Sequence, residues 1–135
     1  MNPTDPIDIM ARTIWGEARG EGHSGMVAVA NVIMNRVAHP KWWGNDVISV
    51  CTKPYQFSCW LKSDPNREKL IAVTANDPQF ADALQIAANA VHGGLDDITH
   101  SATSYYDSRM PDPPSWAEAM EPVAEIGHHL FFKDA

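Results

Sequence analysis

The chain reads as a mainly α-helical domain with a small β-hairpin, an α+β arrangement in one unit spanning residues 1–135. Three observations carry that reading. Asp-Pro dipeptides at Asp5-Pro6, Asp64-Pro65 and Asp77-Pro78 each stand ahead of helix-like sequence. Residues 25–37 are almost continuously apolar, and the tail 123–132 folds back readily about a central Gly127. With 135 residues and 14.9 kDa, a second domain would leave each too small to bury a core unaided.

Each element has its own local reason. In the three dipeptides Asp caps free N–H groups, and Pro takes the first helical position, where no N–H is missed. After Asp5, the residues Ile7, Met10, Ala11, Ile14 and Ala18 form an amphipathic stripe that Gly20 and Gly22 end. A helix apolar on most sides belongs inside, so residues 25–37 predict the central core helix, with Ser24 as its cap and His39-Pro40 as its stop. Residues 65–73 predict a shorter helix. Beyond Asp77, the side chains of Phe80, Ala83, Leu84, Ala87, Ala88 and Val91 share one face up to Gly93-Gly94. Two irregular stretches remain, 40–63 with Trp42, Trp43, Tyr55, Phe57 and Trp60, and 93–122 with Tyr105, Tyr106 and Trp116. Long loops in a compact domain usually carry function.

Composition removes several classes of function. Apolar residues make up 44% and charged residues 20%, the balance of a globular protein. Ten Lys+Arg against 17 Asp+Glu leave a net charge of −7 with no basic stripe, which argues against nucleic acid or an anionic membrane as partner. No apolar run approaches the roughly 20 residues of a bilayer crossing. The start, Met1-Asn2-Pro3-Thr4-Asp5-Pro6, lacks the charged and apolar regions of a secretory signal, so cytosolic synthesis is expected. No cofactor and no metal are expected: His128 and His129 are neighbours on a strand and point to opposite faces, away from any one ion. Cys51 and Cys59 are too few for a disulfide framework; they bracket residues 55–58 and are read equally as a loop-pinning disulfide or as two buried thiols.

Glu17 is the candidate with chemistry. At about 100° per residue it lies about 280° from Ile7 and about 20° from Met10, on the margin of the apolar stripe. A carboxyl there is partly desolvated, which raises its pKa and lets it donate a proton near neutral pH. The alternative is an ion pair with Arg12 or Arg19. Glu21, one turn on, and Asp46, ahead of Val47-Ile48, are the candidates for a second carboxylate; solvation is expected for Glu21 and a capping role for Asp46. Arg36 and Asn35 end the core helix, where a cation complements the helix dipole.

The run Trp15-Gly16-Glu17-Ala18-Arg19-Gly20-Glu21, followed by Gly25-Met26-Val27-Ala28-Val29-Ala30-Asn31-Val32-Ile33-Met34-Asn35-Arg36-Val37, resembles the catalytic domain of the SleB/CwlJ cell-wall hydrolase family. The resemblance continues through Tyr55-Gln56-Phe57-Ser58, Ala102-Thr103-Ser104-Tyr105-Tyr106 and Ile126-Gly127-His128-His129-Leu130-Phe131. It implies a lysozyme-like fold acting on peptidoglycan glycan strands, with Glu17 as the catalytic acid. It implies further a lytic transglycosylase, which cleaves between N-acetylmuramic acid and N-acetylglucosamine and closes a 1,6-anhydro ring. One carboxyl then serves twice, unlike the pair of an ordinary glycosidase. Gln56, Phe57, Ser58, Tyr105 and Tyr106 are carried over as substrate-binding residues. Alternation along a strand buries one of the two tyrosines, and Tyr106 is favoured for the cleft. Trp42, Trp43 and Trp60 stay open between core and cleft. A monomeric phage or prophage endolysin, released through a holin-made hole, is the expected setting. The rival readings are a hydrolytic muramidase using Asp46 or Glu21, a glycan-binding module without turnover, and a peptidase or amidase using Cys59.

Overall fold

A computed structural model describes residues 1–134. Five helices and a three-stranded antiparallel sheet make up the fold: α1 Pro6–Ala18, α2 Gly22–Ala38, α3 Val47–Thr52, α4 Asn66–Ala72, α5 Pro78–Val91, β1 Ser104–Asp107, β2 Ala124–Ile126 and β3 His129–Phe132. Short 3-10 turns stand at Arg19–Glu21, Ser58–Trp60 and Ser115–Ala117.

Local chemistry sets most helix starts where the sequence places them. Asp5 accepts from the Ile7 N–H (3.0 Å) and Asp77 from the Phe80 N–H (3.0 Å), each with proline next. Asp64-Pro65 departs from the expectation: Pro65 is itself the N-cap of α4 rather than its first helical residue, and Asp64, one position earlier, only accepts from the Asn66 N–H (2.8 Å). Gly93, at φ +81°, ends α5 in the left-handed region. The expectation for Ser24 fails. The 3-10 turn after α1 runs directly into α2, which starts at Gly22, so Ser24 lies inside the helix. Residues 40–63 are also more regular than expected. Asp46 accepts from the Ser49 N–H (2.7 Å) while Ser49 accepts back from Asp46, a reciprocal cap that starts α3.

The core also departs from the expectation of one central helix at 25–37. α2 is buried from Gly25 to Ile33, but α1 is buried over nearly its whole length and packs against all four other helices. α2 instead joins two layers: one side enters the helical core, while Ala28 and Val32 pack with Ala102 and Phe131 under the sheet. Three polar side chains of α2 tie down the segment before β1. Asn31 donates to Asp96 O (3.0 Å) and accepts from the Ile98 N–H (2.9 Å), Asn35 donates to Ala102 O (2.9 Å), and Arg36 donates to Thr103 O (2.6 Å).

The tail hairpin forms as expected, with Gly127 at φ +59° between β2 and β3. β1 adds to its other edge, giving the order β1-β3-β2. Tyr105 stands opposite Phe131, Tyr106 opposite Leu130 and Asp107 opposite His129. Among the described residues no helix is long and apolar enough to cross a membrane.

Candidate active site

Glu17 projects from the end of α1 into the wall of a cleft of about 470 Å³. Gly16 is what lets the opposite loop reach it. A Cβ at Gly16 would stand 2.9 Å from Leu70 Cδ2 and 3.1 Å from Cys59 Cβ, so any larger residue would push the 58–60 turn off the helix. With glycine there, the Cys59 N–H donates to Glu17 Oε2 (3.3 Å) and the Tyr105 hydroxyl donates to Oε1 (2.8 Å).

The carboxyl has no ion pair among the described residues. Arg12 is taken by Asp8 (3.1 Å) and by the carbonyls of Leu70, Ile71 and Val73. Arg19 donates to Trp15 O and Asn66 Oδ1 and lies over the Trp15 ring. Burial therefore pushes the Glu17 pKa up, and the hydrogen bonds from Tyr105 and Cys59 oppose it without cancelling it. Burial, with the Glu17 charge beside it, also holds the Tyr105 phenol well above its ordinary value, so it stays a donor.

The cleft gathers Gln56, Phe57, Ser58 and Tyr105 around Glu17. Tyr106 is the exception and corrects the expectation. The pairing register turns Tyr105 toward the helices, where it meets His129 and Phe131, and sends Tyr106 to the other face, stacked on Phe132 at 5.6 Å. Tyr106 meets Trp116 edge-on at 6.0 Å, and Trp116 lines the cleft. The three open tryptophans separate: Trp42 is an exposed rim residue, Trp43 is buried beneath it and donates to Arg36 O (2.9 Å), and Trp60 donates to Thr13 Oγ1 (3.0 Å) away from the cleft.

Arg36 does more than complement a helix end. It is buried, donates to Gln56 Oε1 and lies near the Trp43 and Phe57 rings, so it fixes the cleft floor. Apart from Trp43, its partners Gln56, Phe57 and Thr103 are twenty or more residues away in sequence, and no local pattern announces them. Glu21 also departs from the solvation expected of it. Its side chain is 12% exposed, is contacted by His128 (2.9 Å), and lines a second hollow of about 220 Å³ that shares Glu17 with the cleft. Asp46 lines neither hollow. Both cysteines are free and buried; burial raises Cys51 to about 12 and Cys59 higher still, which removes a thiolate nucleophile at neutral pH.

A family model described as Cell Wall Hydrolase matches residues 20–132. The spore cortex-lytic enzyme of Bacillus cereus is 32% identical over 129 residues, covering 94% of this chain and 44% of that protein. The enzyme of the same name from Bacillus subtilis is 29% identical over 125 residues, 93% of this chain and 36% of its own length. The chain thus spans less than half of these curated relatives. Among solved structures, the catalytic domain of Bacillus cereus SleB superposes with a TM-score of 0.74 at 30% identity, covering 95% of this chain and 89% of that one. The catalytic domain of the germination-specific lytic transglycosylase SleB from Bacillus anthracis gives 0.73 at 30% identity, covering 96% and 95%. The mostly helical, lysozyme-like fold and the aligned sequence place the chain in the SleB/CwlJ family of cell wall hydrolases.

Proposed function

We propose that this chain is a peptidoglycan lytic transglycosylase in which Glu17 alone serves as acid and then base. The observation that carries the reading is a carboxyl with no ion pair among the described residues, raised in pKa by burial and held by Tyr105 and the Cys59 N–H at the wall of an aromatic cleft. The aromatic rims suit the apolar C–H faces of sugar rings, and Gln56 and Ser58 offer polar partners for hydroxyl and acetamido groups. Protonated Glu17 gives its proton to the glycosidic oxygen, and the C1–O bond breaks through an oxocarbenium-like transition state. The carboxylate left behind is the form that Tyr105 and Cys59 stabilise. It then takes the proton of the muramic C6 hydroxyl as that oxygen closes on C1. The proton count is restored and no water is consumed.

Digestion of purified peptidoglycan, read by mass spectrometry, tests this. Products lighter by one water than hydrolytic fragments, with no new reducing ends, are expected. Reducing muramic ends would overturn the transglycosylase in favour of a muramidase. That second reading has one observation behind it: Glu21 lines the hollow beside Glu17. Under it, Glu21→Gln abolishes turnover as completely as Glu17→Gln. The setting proposed with this activity is a monomeric phage or prophage lysin without nucleic-acid or membrane partners. Expression with a holin should then lyse the host, and rapid lysis without one would overturn that setting.

A further inference from the structure

We propose that Tyr55 is a sugar-binding platform at the mouth of the cleft, held out by a strained turn, and that it favours long glycan strands over short ones. The inference rests on the glycan-cleaving reading above and adds to it a residue and a preference for chain length. The Gln56 N–H donates to Lys53 O (3.1 Å) and closes the turn Lys53-Pro54-Tyr55-Gln56. Proline in the second position and a positive φ in the third mark a type II turn, whose third position ordinarily takes glycine or asparagine. Tyr55 occupies it at φ +66°. In the left-handed region a bulky residue crowds its Cβ against the backbone, and the rest of the fold must offset that strain.

Packing does not explain a tyrosine here. Tyr55 is 85% exposed, and no hydrogen bond among the described residues holds its side chain. A glycine would keep the turn and give up no buried contact. The other non-glycine residues at positive φ are different: around His100 and Ser101, the Asp97 carboxylate accepts from the Thr99 and Ser101 N–H groups (2.8 and 3.0 Å) and holds the loop in shape.

Location does explain it. Among the described residues the exposed aromatic rings are Trp42, Tyr55 and Trp116, and all of them line the cleft that holds Glu17. Exposed apolar surface gathered in one place marks a binding surface, and strained residues collect where a ligand is held. Tyr55 stands at the open mouth while Glu17 lies in the wall, so the ring serves a sugar away from the bond being broken. Its face can lie on the C–H face of that sugar with the hydroxyl still in water. Such a contact is made equally before and during the reaction, so its loss weakens binding and spares the chemical step.

The variant Tyr55→Asn, which tolerates the left-handed turn, tests the proposal. Its Tm should rise by about 2–4 °C as the strain is released. KM for long purified glycan strands should rise about three- to tenfold with kcat nearly kept, while KM for short soluble fragments stays at the wild-type value. In a Glu17→Gln background, affinity for long strands should fall by the same factor with or without stem peptides. Tyr55→Phe, which keeps the ring, should restore the affinity that Tyr55→Asn loses. A raised Tm with KM and affinity unchanged would overturn the platform, and a lowered Tm would overturn the strain. A loss confined to strands that carry peptides would give the ring to the peptide, and an equal loss on short fragments would move it to the reacting bond; either result overturns the proposal. Failure of the folded wild-type chain to cleave any glycan would overturn the reading beneath it, a result distinct from an unaltered Tyr55→Asn in an active enzyme.

Discussion

The two hollows that meet at Glu17 are built from opposite materials. The cleft is walled by Trp43, Phe57, Tyr105 and Trp116, with Arg36 and Gln56 bonded to each other in its floor. The smaller hollow is walled by carboxylates, histidines and Arg109. The first offers flat apolar surface with a few fixed polar groups, the kind of surface that takes a sugar ring; the second offers charge. Glu17 belongs to both, yet its own partners, Tyr105 and the Cys59 amide, hold it as part of the aromatic side. The contrast teaches that two hollows can share one carboxyl while only the aromatic one holds it by hydrogen bonds.

The largest expected effect is at the shared residue. Glu17→Gln keeps the shape but cannot give a proton, so turnover should fall by about 10²–10⁴-fold with the fold intact. A folded variant with near-wild-type activity would remove Glu17 from the mechanism. The same substitution bears on stability. Burial raises the Glu17 pKa, so the folded chain holds this proton more tightly than the unfolded one. Ionising it costs stability as pH rises from the ordinary carboxylate range through the raised value. Glu17→Gln should therefore gain Tm relative to wild type as pH rises across that window, and wild-type activity should fall across it.

Next comes Tyr105→Phe. It removes a hydrogen bond to the ionised carboxyl and should cost turnover about 10–100-fold. The basic limb of the pH–rate profile should move upward, because a contact that lowers the Glu17 pKa is gone. An unmoved profile would make Tyr105 a packing residue only. Trp116→Ala sharpens the contrast further: loss of a stacking surface should raise KM about three- to tenfold with kcat nearly kept. A fall in kcat instead would place Trp116 with the reacting atoms. Smallest is Asp46→Ala, which loses the cap of α3 and should lower Tm by a few degrees at most with turnover unchanged. A large loss of turnover would restore Asp46 as a second carboxylate.

What could be read from sequence follows the range of each interaction. Asp5 and Asp77 bond within three residues, so their helix starts are visible locally. Glu17 stands on the margin of a stripe that periodicity reveals, and its raised pKa follows. The choice between Tyr105 and Tyr106 depends on how β3 pairs with β1 across more than twenty residues, and a period of two gives no clue to parity. Glu21 escapes local reading for a related reason. Its cover comes from the 127–129 turn at the other end of the chain.

The bond between Glu17 and Tyr105 spans 88 residues, from the first helix to the first strand. Its strand is anchored by the small Ala28, Val32, Ala102 and Phe131 cluster and by hydrogen bonds from α2, while α1 sits in the larger helical core. Catalytic competence thus reports on the docking of one layer onto another. In graded denaturant, activity should fade while helical circular dichroism is still near full strength, since the sheet can lift away before the helices melt.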